Sequence, residues 1–205
     1  MQEIEAKHNQ EIEMYRLVNE SNKLLGDSSP STALEKVQKA LEISYKIDSD
    51  RGEAFCFQTL GTIQYQKQNY NEAIRYYLKA NELFLSIGDQ AAYYKTVRYL
   101  GQSYEASKQY SKSIDTYKTF LRLAQAKRNT NDELWEKSAL GRTYFNNKKY
   151  EQSNTYYQQL LIAYRSQSDD GKVSETYDFI GKCYAGMKDT VNALKYFELA
   201  GTLGD

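Results

Sequence analysis

The chain has 205 residues, and its 27 lysines and arginines balance its 27 aspartates and glutamates. A balanced charge sets up no long-range field toward nucleic acid or an anionic membrane, so neither is an expected partner. The opening Met1-Gln2-Glu3-Ile4-Glu5 is charged and no long apolar run follows; this predicts neither a signal peptide nor a membrane span and makes the cytoplasm the expected compartment.

Residues 1–25 place Ile4, Ile12, Tyr15, Val18 and Leu25 at near-helical spacing among charges. One long helix is predicted there, with Met14, Leu17 and Val18 on its packing face. Gly26 through Ser29 interrupt it, and Ser29 before Pro30 reads as an N-cap followed by proline at the first helical position. Asp48-Ser49-Asp50 would suit a calcium loop only with a glycine and a closing glutamate in the right places, and both are out of place. Asp50 and Glu53 read instead as a capping box, and Thr130 with Glu133 repeats that spacing. Ser86-Ile87-Gly88-Asp89 stops one helix on glycine and caps the next with aspartate.

From residue 54 onward the chain repeats itself. Leu60-Gly61-Thr62 returns as Leu100-Gly101-Gln102, Leu140-Gly141-Arg142 and Ile180-Gly181-Lys182, each forty residues after the last. Three residues after the glycine stand Gln64, Tyr104, Tyr144 and Tyr184; nine after it, Tyr70, Tyr110, Tyr150 and Thr190. The twelfth position is small (Ala73, Ser113, Ser153, Ala193) and the sixteenth aromatic (Tyr77, Tyr117, Tyr157, Phe197). Ala33, Val37 and Ala40 fit the later offsets of an earlier, modified copy. A fixed period with small and large apolar positions is the pattern of a solenoid. Nine of the 20 tyrosines fall on these repeat positions, which assigns them to packing. Cys56 and Cys183 belong to copies separated by two others, so buried free thiols are expected rather than a disulfide or a metal pair.

The recurring Leu-Gly and Tyr of the first helix, with Ala, an aromatic and Ala in the second, resemble the tetratricopeptide repeat. The resemblance covers 54–205 strongly and 14–53 weakly. It implies an all-α, right-handed superhelical solenoid of about five helix-turn-helix units: a modified N-terminal repeat over 1–53, then four units over 54–205 in one continuous array. The period departs from the usual 34 residues and the usual proline near the end of the second helix is missing. Six extra residues add about 9 Å of helix per unit and deepen the groove. Forty-residue repeats of this kind are found in bacterial signalling proteins and in eukaryotic polarity scaffolds. A glycine in mid-helix costs about 1 kcal/mol against alanine, and close approach of an aromatic ring from the partner helix explains its recurrence.

No Walker loop, HExxH or dinucleotide fingerprint appears, and the one histidine, His8, has no ligand or acid constellation beside it. The expectation is a non-catalytic protein without cofactor or metal. Binding fits better, because a solenoid exposes a concave face built from its first helices. Positions −6, −3, +1 and +4 from each glycine share one helix face. They carry Phe55, Tyr65, Trp135 and Phe145 as candidate aromatic anchors, with Lys95, Arg98, Arg142 and Lys182 as candidate partners for acidic groups. Phe55 and Trp135 could equally fill space between adjacent units. The lysine-and-asparagine carboxylate clamp of some tetratricopeptide domains is not expected, since Gln58, Thr62 and Gln102 stand at comparable places.

The expected function is a scaffold that binds a protein or peptide in the groove. The alternative is a sensor fragment of a larger bacterial regulator, upstream of a kinase or DNA-binding domain, taking a peptide or small signal. The stretch 191–203 is apolar on more than one face with no polar capping helix after it, which makes self-association through the last helix possible.

Overall fold

The computed structural model describes residues 2–26 and 30–202, and within them ten helices follow one another without a strand. They are α1 (Gln2–Gly26), α2 (Pro30–Lys46), α3 (Asp50–Gln66), α4 (Tyr70–Ser86), α5 (Gln90–Ala106), α6 (Tyr110–Ala126), α7 (Thr130–Asn146), α8 (Tyr150–Ser166), α9 (Asp170–Gly186) and α10 (Thr190–Gly201). The all-α class expected from the repeat is what forms. First helices α3, α5, α7 and α9 start forty residues apart, and each second helix starts nine residues after its repeat glycine. Pro30 is the first residue of α2; Ser29, read as its cap, lies outside the described residues, as does Leu203.

One turn joins successive helices from α2 onward. Asp48, Gln68, Gly88, Lys108, Arg128, Lys148, Ser168 and Lys188 all have positive φ, one every twenty residues. The N–H of the following residue reaches back five places, as in Asn69 to the Gln64 carbonyl (2.9 Å), Lys149 to Tyr144 (2.9 Å) and Asp189 to Tyr184 (2.9 Å). The left-handed residue itself bonds three back, Gln68 to Tyr65 at 2.9 Å. This pair of bonds satisfies the last carbonyls of each helix. Gly88, expected as a helix stop, has φ 73° and is the one glycine in the set.

At the starts of α3, α5, α7, α9 and α10 the side chain of the residue after the left-handed one caps the helix, whereas Asn69, Gln109 and Lys149 before α4, α6 and α8 make no such bond. Ser49 Oγ accepts from the Gly52 N–H (3.1 Å), Asp89 Oδ1 from Ala92 (3.1 Å), Asn129 Oδ1 from Asp132 (3.1 Å) and Asp169 Oδ1 from Lys172 (3.1 Å). The capping boxes expected on Asp50 and Thr130 are therefore displaced by one residue. Ser49 and Asn129 are the N-caps, while Asp50 and Thr130 already sit inside the helix, because the three-residue turn leaves one non-helical position before each of them.

The chain divides into two compact units, Met1–Ser107 with α1 to α5 and Lys108–Asp205 with α6 to α10. The boundary falls between the two helices of the repeat built on Gly101. In each unit every helix packs on its neighbours in the chain. The first core gathers Met14, Leu17 and Val18 of α1 with Val37, Leu60, Ile63 and Phe84; a second cluster joins Ala73, Ile74, Tyr77 and Leu100. In the other unit Leu134, Tyr157, Leu160, Val173, Tyr177 and Ile180 form one cluster, and Ile114, Tyr117, Leu140 and Tyr144 another.

The repeat glycines do what close packing requires. A Cβ on Gly61 would lie 2.6 Å from the Tyr77 ring, on Gly141 3.0 Å from Tyr157, and on Gly181 2.7 Å from Phe197. In each of these units the ring at the sixteenth position lies on the glycine of its own first helix.

Candidate functional site

In the first unit, α3 and α5 lie side by side, and the Gln58 amide donates to Thr96 Oγ1 (2.5 Å) from one helix to the other. Thr62 Oγ1 donates to the Gln58 carbonyl (3.1 Å) and accepts from the Tyr77 hydroxyl (3.2 Å), so this helix face is anchored to the core beneath it. Around that pin stand the four candidates of this unit. Phe55 is half-buried and meets Phe84 edge-on at 5.0 Å and Tyr15 at 6.3 Å, with the Arg51 guanidinium 5.8 Å above its ring. Tyr65 is half-buried and edge-on to Tyr70 at 5.3 Å. Lys95 is exposed with its Nζ 5.9 Å from the centre of the Tyr99 ring, and Arg98 is half-buried.

The second unit holds the other four. Trp135 on α7 is half-buried and edge-on to Tyr117 at 5.9 Å; Phe145, one turn past Arg142, is half-buried and edge-on to Tyr150 at 5.4 Å. Arg142 is exposed. Lys182 on α9 is exposed, pairs with Asp178 at 2.5 Å and lies 5.0 Å from the centre of the Phe179 ring. The four aromatic candidates share one arrangement: each meets a neighbouring ring edge-on, a buried one for Phe55 and Trp135 and a half-buried one for Tyr65 and Phe145, with part of the side chain still open to solvent. Such a side chain offers a ligand rigid contact area at little entropic cost.

Two features of these faces had no clear signal in the sequence. One is the buried Gln58–Thr96 bond, invisible because it joins residues 38 apart. The other is Glu136, a carboxylate only 1% exposed beside Trp135, at a position where the other copies carry Cys56, Thr96 and Thr176. That departure from small residues is the one mark that could have singled it out.

Nucleophilic chemistry has no support at either thiol. Burial pushes the Cys56 thiol up to about 12 and raises Cys183 as well, so both are protonated at neutral pH. Cys183 donates to Ser153 Oγ (3.2 Å), which donates to the Gly141 carbonyl (2.8 Å), a buried chain that ties α9, α8 and α7 together. Among the described residues no cluster of three metal-ligating side chains occurs, and no helix is long and apolar enough to cross a membrane.

A family model described as soluble NSF attachment protein, SNAP, matches residues 1–145, and one described as tetratricopeptide repeat matches residues 139–166. Among curated proteins, Protein FLUORESCENT IN BLUE LIGHT, chloroplastic, from Arabidopsis thaliana is 24% identical over 98 residues, 48% of this chain. The chain spans 31% of that relative's length. Among solved structures, RapI in its apo form has a TM-score of 0.80 at 13% identity, over 94% of this chain and 70% of RapI. A signal transduction ATPase with numerous domains and a tetratricopeptide repeat sensor, from Pyrococcus horikoshii, gives 0.81 at 19% identity, over 95% of this chain and 32% of that one. YrrB, a tetratricopeptide repeat protein with an unusual peptide-binding site, gives 0.62 at 19% identity, over 91% of this chain and 84% of YrrB. Identities this low speak to the fold alone, and the fold they share is the tetratricopeptide repeat solenoid.

Proposed function

The chain belongs to the soluble NSF attachment protein family and is built of tetratricopeptide repeats, and from that premise we propose that it is a non-catalytic scaffold whose first helices bind a protein or peptide ligand. The observation that carries this reading is the Gln58–Thr96 bond, which holds α3 and α5 together beneath half-exposed aromatic and basic side chains. A surface fixed in this way binds without first ordering itself. In the first unit Tyr65 and Phe55 supply apolar contact while Lys95 and Arg98 receive acidic groups of the ligand. In the second unit Trp135 and Phe145 take the apolar part and Arg142 and Lys182 the acidic part. Attachment to another protein, which the family's name describes, agrees with this division of labour.

Trp135 is the one tryptophan of the chain and reports on its own face. A synthetic glutamate- and leucine-rich amphipathic peptide with a free C-terminal carboxylate is the probe. Its binding is expected to shift Trp135 emission, and Lys95→Glu and Arg142→Glu are each expected to weaken it in their own unit. Equal affinity of the parent and both variants would place ligand binding away from the first helices.

A further inference from the structure

Three turns of the second unit carry the same residue type at the same place. Lys108, Lys148 and Lys188 stand seven residues after Gly101, Gly141 and Gly181, and each has a left-handed backbone, with φ 61°, 58° and 63°. Glycine takes that conformation at no steric cost, as Gly88 does at φ 73°, so a side chain is kept at all three places against the preference of the backbone. The turn itself does not call for lysine, since Asp48, Gln68, Arg128 and Ser168 fill the same position elsewhere. A local rule broken in this repeated way points to a use for the side chain.

Helices joined by such short turns run antiparallel, so alternate turns share one end of the unit. At that end Lys112 and Lys149 join the three, and all five lysines are exposed. Among the described residues no carboxylate pairs with Lys108, Lys148, Lys149 or Lys188, and Lys112 Nζ donates to Gln109 Oε1 (2.9 Å). The acids at this end are Glu151 and Asp189, and Asp189 is occupied in capping α10 through the Asn192 N–H (3.1 Å). A depression of about 430 Å³ opens among Lys108, Tyr110, Ser111, Lys112 and Asn147, room enough for a small polar headgroup between two ammonium groups. The opposite end of the unit is mixed: Lys127, Arg128 and Lys172 stand among Asp132, Glu133, Asp169 and Asp170, and Lys172 pairs with Asp169 at 3.1 Å.

The zero net charge of the whole chain hides this local excess. Stacking in a solenoid covers the faces between units and leaves the turn edges open, so the edge is exposed whatever else the chain carries. We infer that this lysine edge rests on the surface of an anionic membrane, its ammonium groups among the phosphate and carboxylate headgroups. The side chains favour that partner over a protein. Protein interfaces are poor in lysine and are anchored by arginine and buried aromatic rings, whereas this edge has no arginine and no exposed ring. Lysine is a flexible point charge suited to a diffuse anionic surface, and four to eight clustered cations are enough to hold a chain on one. The edge lies on the turns and does not depend on the first-helix faces proposed above.

The test sediments the full chain with vesicles of phosphatidylcholine, alone or mixed with phosphatidylserine. The parent is expected to sediment with the mixed vesicles at low salt, to stay in solution with phosphatidylcholine alone, and to be released at high salt. A triple Lys108→Gly, Lys148→Gly, Lys188→Gly chain loses three charges and three left-handed side chains. Its urea midpoint should equal or exceed the parent's while its affinity for the mixed vesicles falls about a hundredfold. A Lys112→Gln, Lys149→Gln chain, altered outside the left-handed positions, should lose about tenfold or more. Arg128→Gly makes the glycine exchange at the opposite end, where φ is 53°, and should bind as the parent does. No binding by the parent, equal binding by either lysine variant, or a loss with Arg128→Gly as large as with the triple variant overturns the proposal. Tighter binding to polyglutamate or duplex DNA than to the mixed vesicles at the same salt also overturns it, and gives the edge to an acidic protein or a nucleic acid.

Discussion

Gly61 and Gly181 each lie in the middle of a helix, where glycine is unfavourable, and each faces an aromatic ring at a distance that no Cβ could share. Two effects of opposite sign therefore meet at one position. Any larger residue gains helix propensity, up to about 1 kcal/mol, and must displace a ring packed in the core, which costs about 1–3 kcal/mol or more for an added side chain. Overpacking wins because the nearest atoms belong to rings held by their own neighbours, Tyr77 by Tyr99 and by its bond to Thr62. Gly61→Leu is thus expected to lower the urea midpoint despite its better propensity; a midpoint equal to the parent's would mean the ring can move aside. This contact was legible in the sequence, since glycine and ring recur at a fixed sixteen-residue offset. The cap of α5 was legible as Asp89, and those of α3 and α7 only to within one residue. Asp48, Ser49 and Asp50 before α3, and Asn129, Thr130, Asn131 and Asp132 before α7, offer several residues that could have begun the helix.

At the scale of the element, the repeated unit is the single helix with its turn, twenty residues long, half the period that the glycines mark. Sequence reasoning marked a break between helices at several of these turns but pointed to the left-handed residue only at Gly88, because Gln68, Lys108, Arg128, Lys148, Ser168 and Lys188 are not residues that favour a left-handed backbone. A non-glycine residue there costs about 1–2 kcal/mol, and the two carbonyl bonds of the turn offset it. Lys148 is exposed and its side chain lies clear of the core, so Lys148→Gly is expected to raise stability by up to about 1 kcal/mol, read as an increased urea midpoint. A decrease would show that the turn depends on the lysine side chain. The caps make a separate prediction in acid. The Lys172 backbone N–H and side chain hold the Asp169 carboxyl below its ordinary range, and the Asn192 side chain and backbone N–H do the same for Asp189. A depressed carboxylate contributes stability that is present above its unfolded value, near pH 4, and is lost as pH falls through the lower folded value. Asparagine caps equally well at the equivalent Asn129 without titrating. A double Asp169→Asn, Asp189→Asn chain should therefore match the parent's thermal midpoint at pH 7 and lose less of it below about pH 4. Parallel acid profiles would remove the two caps as the cause.

For the molecule as a whole the net charge is zero, so attraction of an acidic ligand has to come from local cations rather than from a global field. The first helices hold such cations beside aromatic side chains, and the two kinds of contact respond differently to salt. Contact with the Trp135 indole is apolar and indifferent to ionic strength. Attraction to Arg142, itself exposed on α7, is screened once the Debye length falls to about 3 Å in 1 M salt. Removing the indole with Trp135→Ala is expected to weaken binding of an acidic peptide by about 2 kcal/mol at every salt concentration. Arg142→Gln is expected to weaken it most at low salt and hardly at all at high salt. Trp135→Ala also removes an edge-on contact with Tyr117, so its unfolding midpoint must be measured beside its affinity, whereas the exposed Arg142 should leave the midpoint within about 0.5 kcal/mol of the parent. If the affinity lost with Trp135→Ala shrinks with salt as the loss with Arg142→Gln does, both substitutions act through one electrostatic contact and the indole is not an anchor.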